Sequence, residues 1–194
     1  ANFVDVTFEF GELMLVKSEE ELELARFSAA IGEKACQALL DIARPGVREN
    51  ELVAEVMRVI YGSGASTRMP HLILHTGNEN LSWGPPEWFY QAQTPRKMER
   101  GDILLSEIFV LYGGVETQQQ MCLTIGPVNP VIRECADVAR ASYEIGLNTI
   151  KPGVTFYEVA EAMEKPLIEA GCWHSTPLIH SLSPMTYVGP TNVR

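Results

Sequence analysis

At 194 residues, 46% of them hydrophobic and 21% charged, the chain is long enough for one substantial core and has ordinary globular composition. Its formal net charge of −10, with basic residues scattered, argues against nucleic acid or an anionic membrane as partner, because those are bound through clustered Lys and Arg. No apolar run approaches the roughly 20 residues of a membrane helix. The amino end lacks the basic n-region of a signal peptide, and the absence of an initiator Met suggests a preceding segment.

Residues 1–16 are expected as a strand with its connection. Ser18 and Glu21 then give the Ser-x-x-Glu pattern of a capping box. Leu24, Phe27, Ile31, Ala35 and Ala38 recur at three- and four-residue steps, which predicts a long helix stopping at Arg44-Pro45-Gly46. A second helix is expected over 49–61. Residues 69–76 turn strand-like, and 77–94, rich in Gly, Asn, Pro and Trp, read as an irregular functional-type loop. Apolar runs over 103–112 and up to 125, separated by Gly113-Gly114, predict a β-hairpin. A helix over 132–149 stops at Lys151-Pro152-Gly153, Thr155 and Glu158 open another, and strand-like residues follow from 175. Cys36, Cys122, Cys135 and Cys172 have no CxxC spacing and are expected as reduced, buried thiols, which favours a cytoplasmic location.

Comparing each residue with the one 107 positions later pairs like with like across a long stretch. Leu40 falls on Leu147, Pro45-Gly46-Val47 on Pro152-Gly153-Val154, Glu51 on Glu158, Gly64 on Gly171 and Pro70 on Pro177, with Arg44 on Lys151 as a charge match. Each unit reads helix, Pro-Gly turn, helix, Gly, strand. Two copies of such a unit suggest a duplicated half-domain with pseudo-twofold symmetry.

This duplicated helix-helix-strand unit with an inserted hairpin resembles the pita-bread family of Xaa-Pro peptidases and prolidase, methionine aminopeptidase and creatinase. The run KSEEELELAR from Lys17 to Arg26 is similar to the helix that opens their catalytic domain. Pro45-Gly46-Val47 and the run MERGDILL from Met98 to Leu105 resemble the family's Pro-Gly turn and the segment leading into its first ligand strand. The resemblance implies an α+β fold, two helix-helix-strand units over a curved, mainly antiparallel sheet. Residues 1–16 would be the end of a preceding domain or a linker strand, and 17–194 a catalytic-type domain without its last arm. It also implies a homodimer acting on a small molecule or short peptide.

In metal-dependent members two aspartates eleven residues apart lie on the hairpin, and the matching positions here are Glu107 and Gln118. A neutral amide at the bridging position removes charge where two divalent ions need it. The family's next ligand, a His, matches His180. Read alone, His180 is more often a strand histidine satisfied by a neighbour, and only its register with the family His gives it a chemical role. Residues that match the substrate-binding surroundings are Gln118, Gln120, His75 and Trp83. His75 stands near the place of a substrate-contacting family His but reads more readily as a partly exposed loop histidine. Trp83, Trp88, Phe89 and Tyr90 either line a specificity pocket or anchor their loop.

Two readings follow from the resemblance. One is a hydrolase of C–N bonds, peptide or amidino, in which His180 and Glu107 are catalytic and bind one divalent ion (manganese, cobalt or zinc) or none. The other is a catalytically silent member that binds a peptide or partner protein in the concave pocket. A blander view takes residues 118–120 as a solvated hairpin arm.

Overall fold

Ser18 opens the main helix as the sequence predicts: its Oγ accepts from the Glu21 amide at 3.3 Å while the Glu21 carboxylate accepts from the Ser18 amide at 2.8 Å. The computed structural model describes residues 3–68, 72–77, 84–174 and 176–180. In chain order its elements are α1 (Thr7–Leu13), α2 (Glu19–Ile42), α3 (Glu49–Gly62), β1 (Leu72–Gly77), β2 (Ile103–Tyr112), β3 (Val115–Thr124), α4 (Pro130–Thr149) and α5 (Phe156–Glu169). A 3-10 turn, Glu87–Phe89, interrupts the loop before β2. The chain divides into two compact units, Val16–Val128 and Ala1–Leu15 with Asn129–Arg194.

Among the described residues the first unit is a three-stranded antiparallel sheet, ordered β1-β2-β3, with α2 and α3 packed against it. Its hairpin turns at Gly113 and Gly114, whose φ of 58° and 81° are those of a two-residue turn that matches strand twist. Strand side chains alternate between faces, and the register sorts them. Leu72, Leu74, Leu104, Ile108 and Val110 join Ile31, Ala35, Leu39, Leu52, Val56 and Ile60 in the buried core beneath the helices. On the same face Ser28 of α2 donates to the Val110 carbonyl at 3.0 Å and pairs with the Thr117 hydroxyl at 3.0 Å.

In the second unit α4 and α5 pack on each other. Ser142 donates to the Met163 carbonyl at 2.8 Å, and Val159, Ala160, Met163 and Leu167 are buried. The 107-residue repeat holds at the level of elements, because α3 moved by that offset coincides with α5 at both ends. The turns before them match too: Gly46 has φ 94° and Gly153 φ 91°.

Three local expectations differ. Residues 1–16, read as a strand, contain α1, whose start is fixed by Asp5 accepting from the amide and hydroxyl of Thr7. The alternation of Phe8, Glu9 and Phe10 mimics a strand pattern there. Residues 176–180, read as strand-like, form bends. All four cysteines are free, but none is fully buried: Cys36 and Cys172 are half-buried, and Cys122 and Cys135 are exposed, one on β3, an edge strand among the described residues, and one on α4. Among the described residues no helix is long and apolar enough to cross a membrane.

Candidate active site

The face of the sheet turned away from α2 and α3 carries the residues singled out in the sequence. Since β2 residues 104, 106, 108 and 110 face the helices, Leu105, Glu107 and Phe109 face the other way, joined by Ile73 and His75 of β1 and by Glu116, Gln118, Gln120 and Cys122 of β3. The register lines them up in rows: His75, Leu105 and Cys122; Ile73, Glu107 and Gln120; Phe109 and Gln118; Leu111 and Glu116. Glu107 therefore sits mid-sheet, buried, directly opposite an exposed Gln120.

The three consecutive glutamines have three different surroundings. Gln118 donates its amide N–H to Glu116 Oε1 at 2.8 Å. Gln119 points the other way, into α2, where its Oε1 is buried without a hydrogen-bond partner among the described residues. Gln120 is exposed beside Glu107. The view of 118–120 as a uniformly solvated arm therefore fits Gln120 alone.

His75 is a strand residue rather than a loop residue, 9% exposed, and its Nε2 lies 2.8 Å from the Gly84 carbonyl. A carbonyl only accepts, so this nitrogen carries the proton and holds the chain that returns from the loop. Trp83 lies outside the described residues. Trp88 and Phe89, edge to face at 4.5 Å, pack against the core and anchor the loop, whereas Tyr90 is exposed. His180 belongs to the other compact unit and is exposed.

A buried polar network fixes the end of β1 that carries His75. Glu49 at the start of α3 accepts from the amide and hydroxyl of Thr76 at 3.2 and 2.8 Å. Arg96 donates to the Thr76 hydroxyl at 3.1 Å and grips both oxygens of Asp102, one of them at 2.9 Å, while the Glu99 amide adds a third bond at 2.7 Å. Burial pushes the Asp102 carboxyl up, but the Arg96 and Glu99 hydrogen bonds and the guanidinium charge together outweigh it and hold it below the ordinary aspartate value.

Sequence reasoning missed two residues of the face, Glu116 and Arg68. Glu116 is 6% exposed and accepts from Arg68 Nε at 2.9 Å, with the Arg68 guanidinium 4.9 Å from the centre of the Phe109 ring. The two-residue step from Glu116 to Gln118 could have revealed the first; Arg68 lies in no motif. Among the described residues no group of three or more His, Cys, Asp or Glu could hold a metal ion. A groove of about 560 Å³ lined by Glu19, Glu20, Glu23, Leu24, Phe27 and Tyr112 lies on the α2 side and contains none of these residues.

Known proteins match both the sequence and this architecture. The Xaa-Pro dipeptidase of Pyrococcus furiosus is 24% identical over 172 residues, 88% of this chain and 47% of that protein. Creatinase from Bacillus sp. (strain B-0618) is 26% identical over 170 residues, 84% of this chain and 39% of that one. Among solved structures, the prolidase from Pyrococcus furiosus superimposes with a TM-score of 0.73 at 22% identity, over 84% of this chain and 47% of that one. A dipeptidase from Pyrococcus horikoshii OT3 gives 0.76 at 18% identity, over 97% and 53%. The chain thus spans less than half the length of these two curated relatives. The fold is the α+β pita-bread fold. The family model described as metallopeptidase family M24 matches residues 23–186, and the chain belongs to that family.

Proposed function

We propose that this chain is part of a hydrolase that cleaves a C–N bond in a small molecule or short peptide, with Glu107, Gln118 and Gln120 on its reacting face. One observation carries the reading: within a family match over residues 23–186, the fold brings Glu107 and Gln118 onto one sheet face, in adjacent rows of the β2–β3 register. The names of relatives point to Xaa-Pro peptides and, through the creatinase likeness, to small amidino compounds as substrates.

A metallopeptidase family implies divalent ions, and the donor set of this face does not fit a dinuclear centre. Gln118 brings an amide where the bridging carboxylate would stand, its N–H turned toward Glu116. Glu116 is itself neutralised by Arg68. Two adjacent divalent ions need anionic bridging oxygens to offset their repulsion, and this face supplies too few of them. Glu107, when ionised, accepts a hydrogen bond from a substrate N–H or from water, and Gln118 and Gln120 orient polar groups without acting as bases. His180 is the proposed general acid–base group.

The test begins with elemental analysis of the full-length protein, prepared without chelator and again after loading with manganese, cobalt or zinc. Hydrolysis of Xaa-Pro peptides and of small amide and amidino compounds is then assayed on both preparations. Activity that drops about 100-fold in His180→Ala, with an unchanged circular dichroism spectrum, supports the reading; unchanged activity removes His180 from the site. No hydrolysis of either class favours the second reading, a silent member that binds a peptide through this face. The amide at 118 in place of a carboxylate is the observation on its side. A homodimer is also expected, and light scattering on the eluted protein checks it.

A further inference from the structure

Arg68 has no role in the reading above, yet the fold sets it beside the position where that reading departs from a metal enzyme. Ser66 and Leu111 exchange backbone hydrogen bonds at 2.9 and 2.8 Å, which brings the chain alongside β2 ahead of β1. Two residues on, Arg68 is level with Phe109 and lays its guanidinium over that ring at 4.9 Å. Its Nε donates to Glu116 Oε1 at 2.9 Å, the same oxygen that receives the Gln118 amide at 2.8 Å. Glu116 Oε2 is buried and has no partner among the described residues.

An unpartnered buried carboxylate oxygen is where a bound cation would be sought, but the charges nearby answer otherwise. Among the described residues of this face, Glu107 and Glu116 against Arg68 leave one formal negative charge. A divalent ion drawn to Glu116 would compete with a guanidinium already bound to that carboxylate, in surroundings where charges are weakly screened.

We infer that Arg68 is the resident cation of this face: its guanidinium, fixed between Phe109 and Glu116, excludes divalent metal from the position beside residue 118. The inference rests on the family reading proposed above and deepens it, because it names the residue that makes this half of the site metal-independent. It also explains why Gln118 is tolerated. With a guanidinium on Glu116, a second carboxylate at 118 is not needed to balance a metal charge, and an amide can donate to Glu116 instead.

The experiment measures binding of Mn²⁺ by calorimetry and elemental analysis in the full-length protein, independently of catalysis. Wild type and Gln118→Asp are expected to take up no stoichiometric ion. Gln118→Asp combined with Arg68→Met should bind Mn²⁺ at least about ten-fold more tightly than Gln118→Asp alone. Combined with Arg68→Lys, which keeps the charge, Gln118→Asp should behave as the single variant. Stoichiometric metal in wild type that disappears in Glu107→Ala would overturn the inference, and that arm does not depend on whether the Arg68 variants fold. It is equally overturned if Gln118→Asp alone binds as well as the Met double variant, if the Lys and Met double variants bind alike, or if none of the three binds. A protein without hydrolytic activity would defeat the functional reading and leave the metal result to be judged by itself.

Discussion

Asp102 is 1% exposed, and three hydrogen bonds together with the Arg96 charge keep it ionised. Because these partners lower its folded-state pKa, the stability it contributes is fully present above the unfolded value of about 3.9 and is lost as pH falls through the lower folded value. Asp102→Asn should therefore destabilise the protein by about 2 kcal/mol near neutral pH, below the range for a fully buried pair because Arg96 is 39% exposed. The gap between variant and wild type should close below about pH 4. Denaturant titrations across that range check it, and a gap that persists unchanged into acid would mean the carboxylate charge is not what holds β1. Little of this was legible beforehand. Gly101 and Asp102 read only as the lead into a strand, and Arg96 lies in a loop whose residues carry no period. Arg68 escaped for the same reason: long-range ion pairs follow from strand register, which a single sequence does not print. Glu107 and Gln118 could be found because the family resemblance places two residues eleven apart on one hairpin, and a match within one hairpin is local.

At the scale of elements, α2 approaches β3 at Gly32, where an added Cβ would stand 1.8 Å from Gln119 Oε1. The neighbour is the end of a flexible side chain, so it can shift, but it is packed against the helix and its oxygen is already without a partner among the described residues. Gly32→Ala should cost about 1–3 kcal/mol, and Gln119→Ala in the same chain should recover most of that loss. Thermal denaturation of the single and double variants measures it; a double variant as weak as Gly32→Ala alone would show that the helix, not Gln119, has no room. The helices and the hairpin themselves were readable, because capping pairs such as Ser18 with Glu21 and Thr155 with Glu158 mark helix starts and Gly113-Gly114 marks the turn. The direction of Gln119 follows from the period of two once the hairpin is granted. The misreadings lie at 1–16 and 176–180, where short apolar stretches fit more than one conformation and the two-residue pair of Asp5 with Thr7 is a weaker sequence signal than a capping box.

For the whole molecule, the duplication makes one demand twice. Leu52, Val53, Val56 and Ile60 are buried in α3, and their counterparts at the 107-residue offset, Val159, Ala160, Met163 and Leu167, are buried in α5. The helices before them have diverged: Leu39 is matched by Gly146, which lets Met163 come close enough that a Cβ there would meet its sulfur at 2.7 Å. What the two copies share without compromise is the turn between helices, where Gly46 and Gly153 hold φ of 94° and 91°, a region an L side chain rarely enters. An added Cβ would meet nothing within 4 Å at either place, so packing is not at issue and the backbone alone sets the cost. Gly46→Ala and Gly153→Ala should therefore each destabilise the unit that contains them by roughly 1–2 kcal/mol, and by similar amounts despite the different cores around them. Chemical denaturation of the two single variants, followed by probes in each unit, gives the comparison. If one substitution is costly and the other free, the matching turns are a coincidence of sequence, and the repeat would have to rest on α3 and α5 alone.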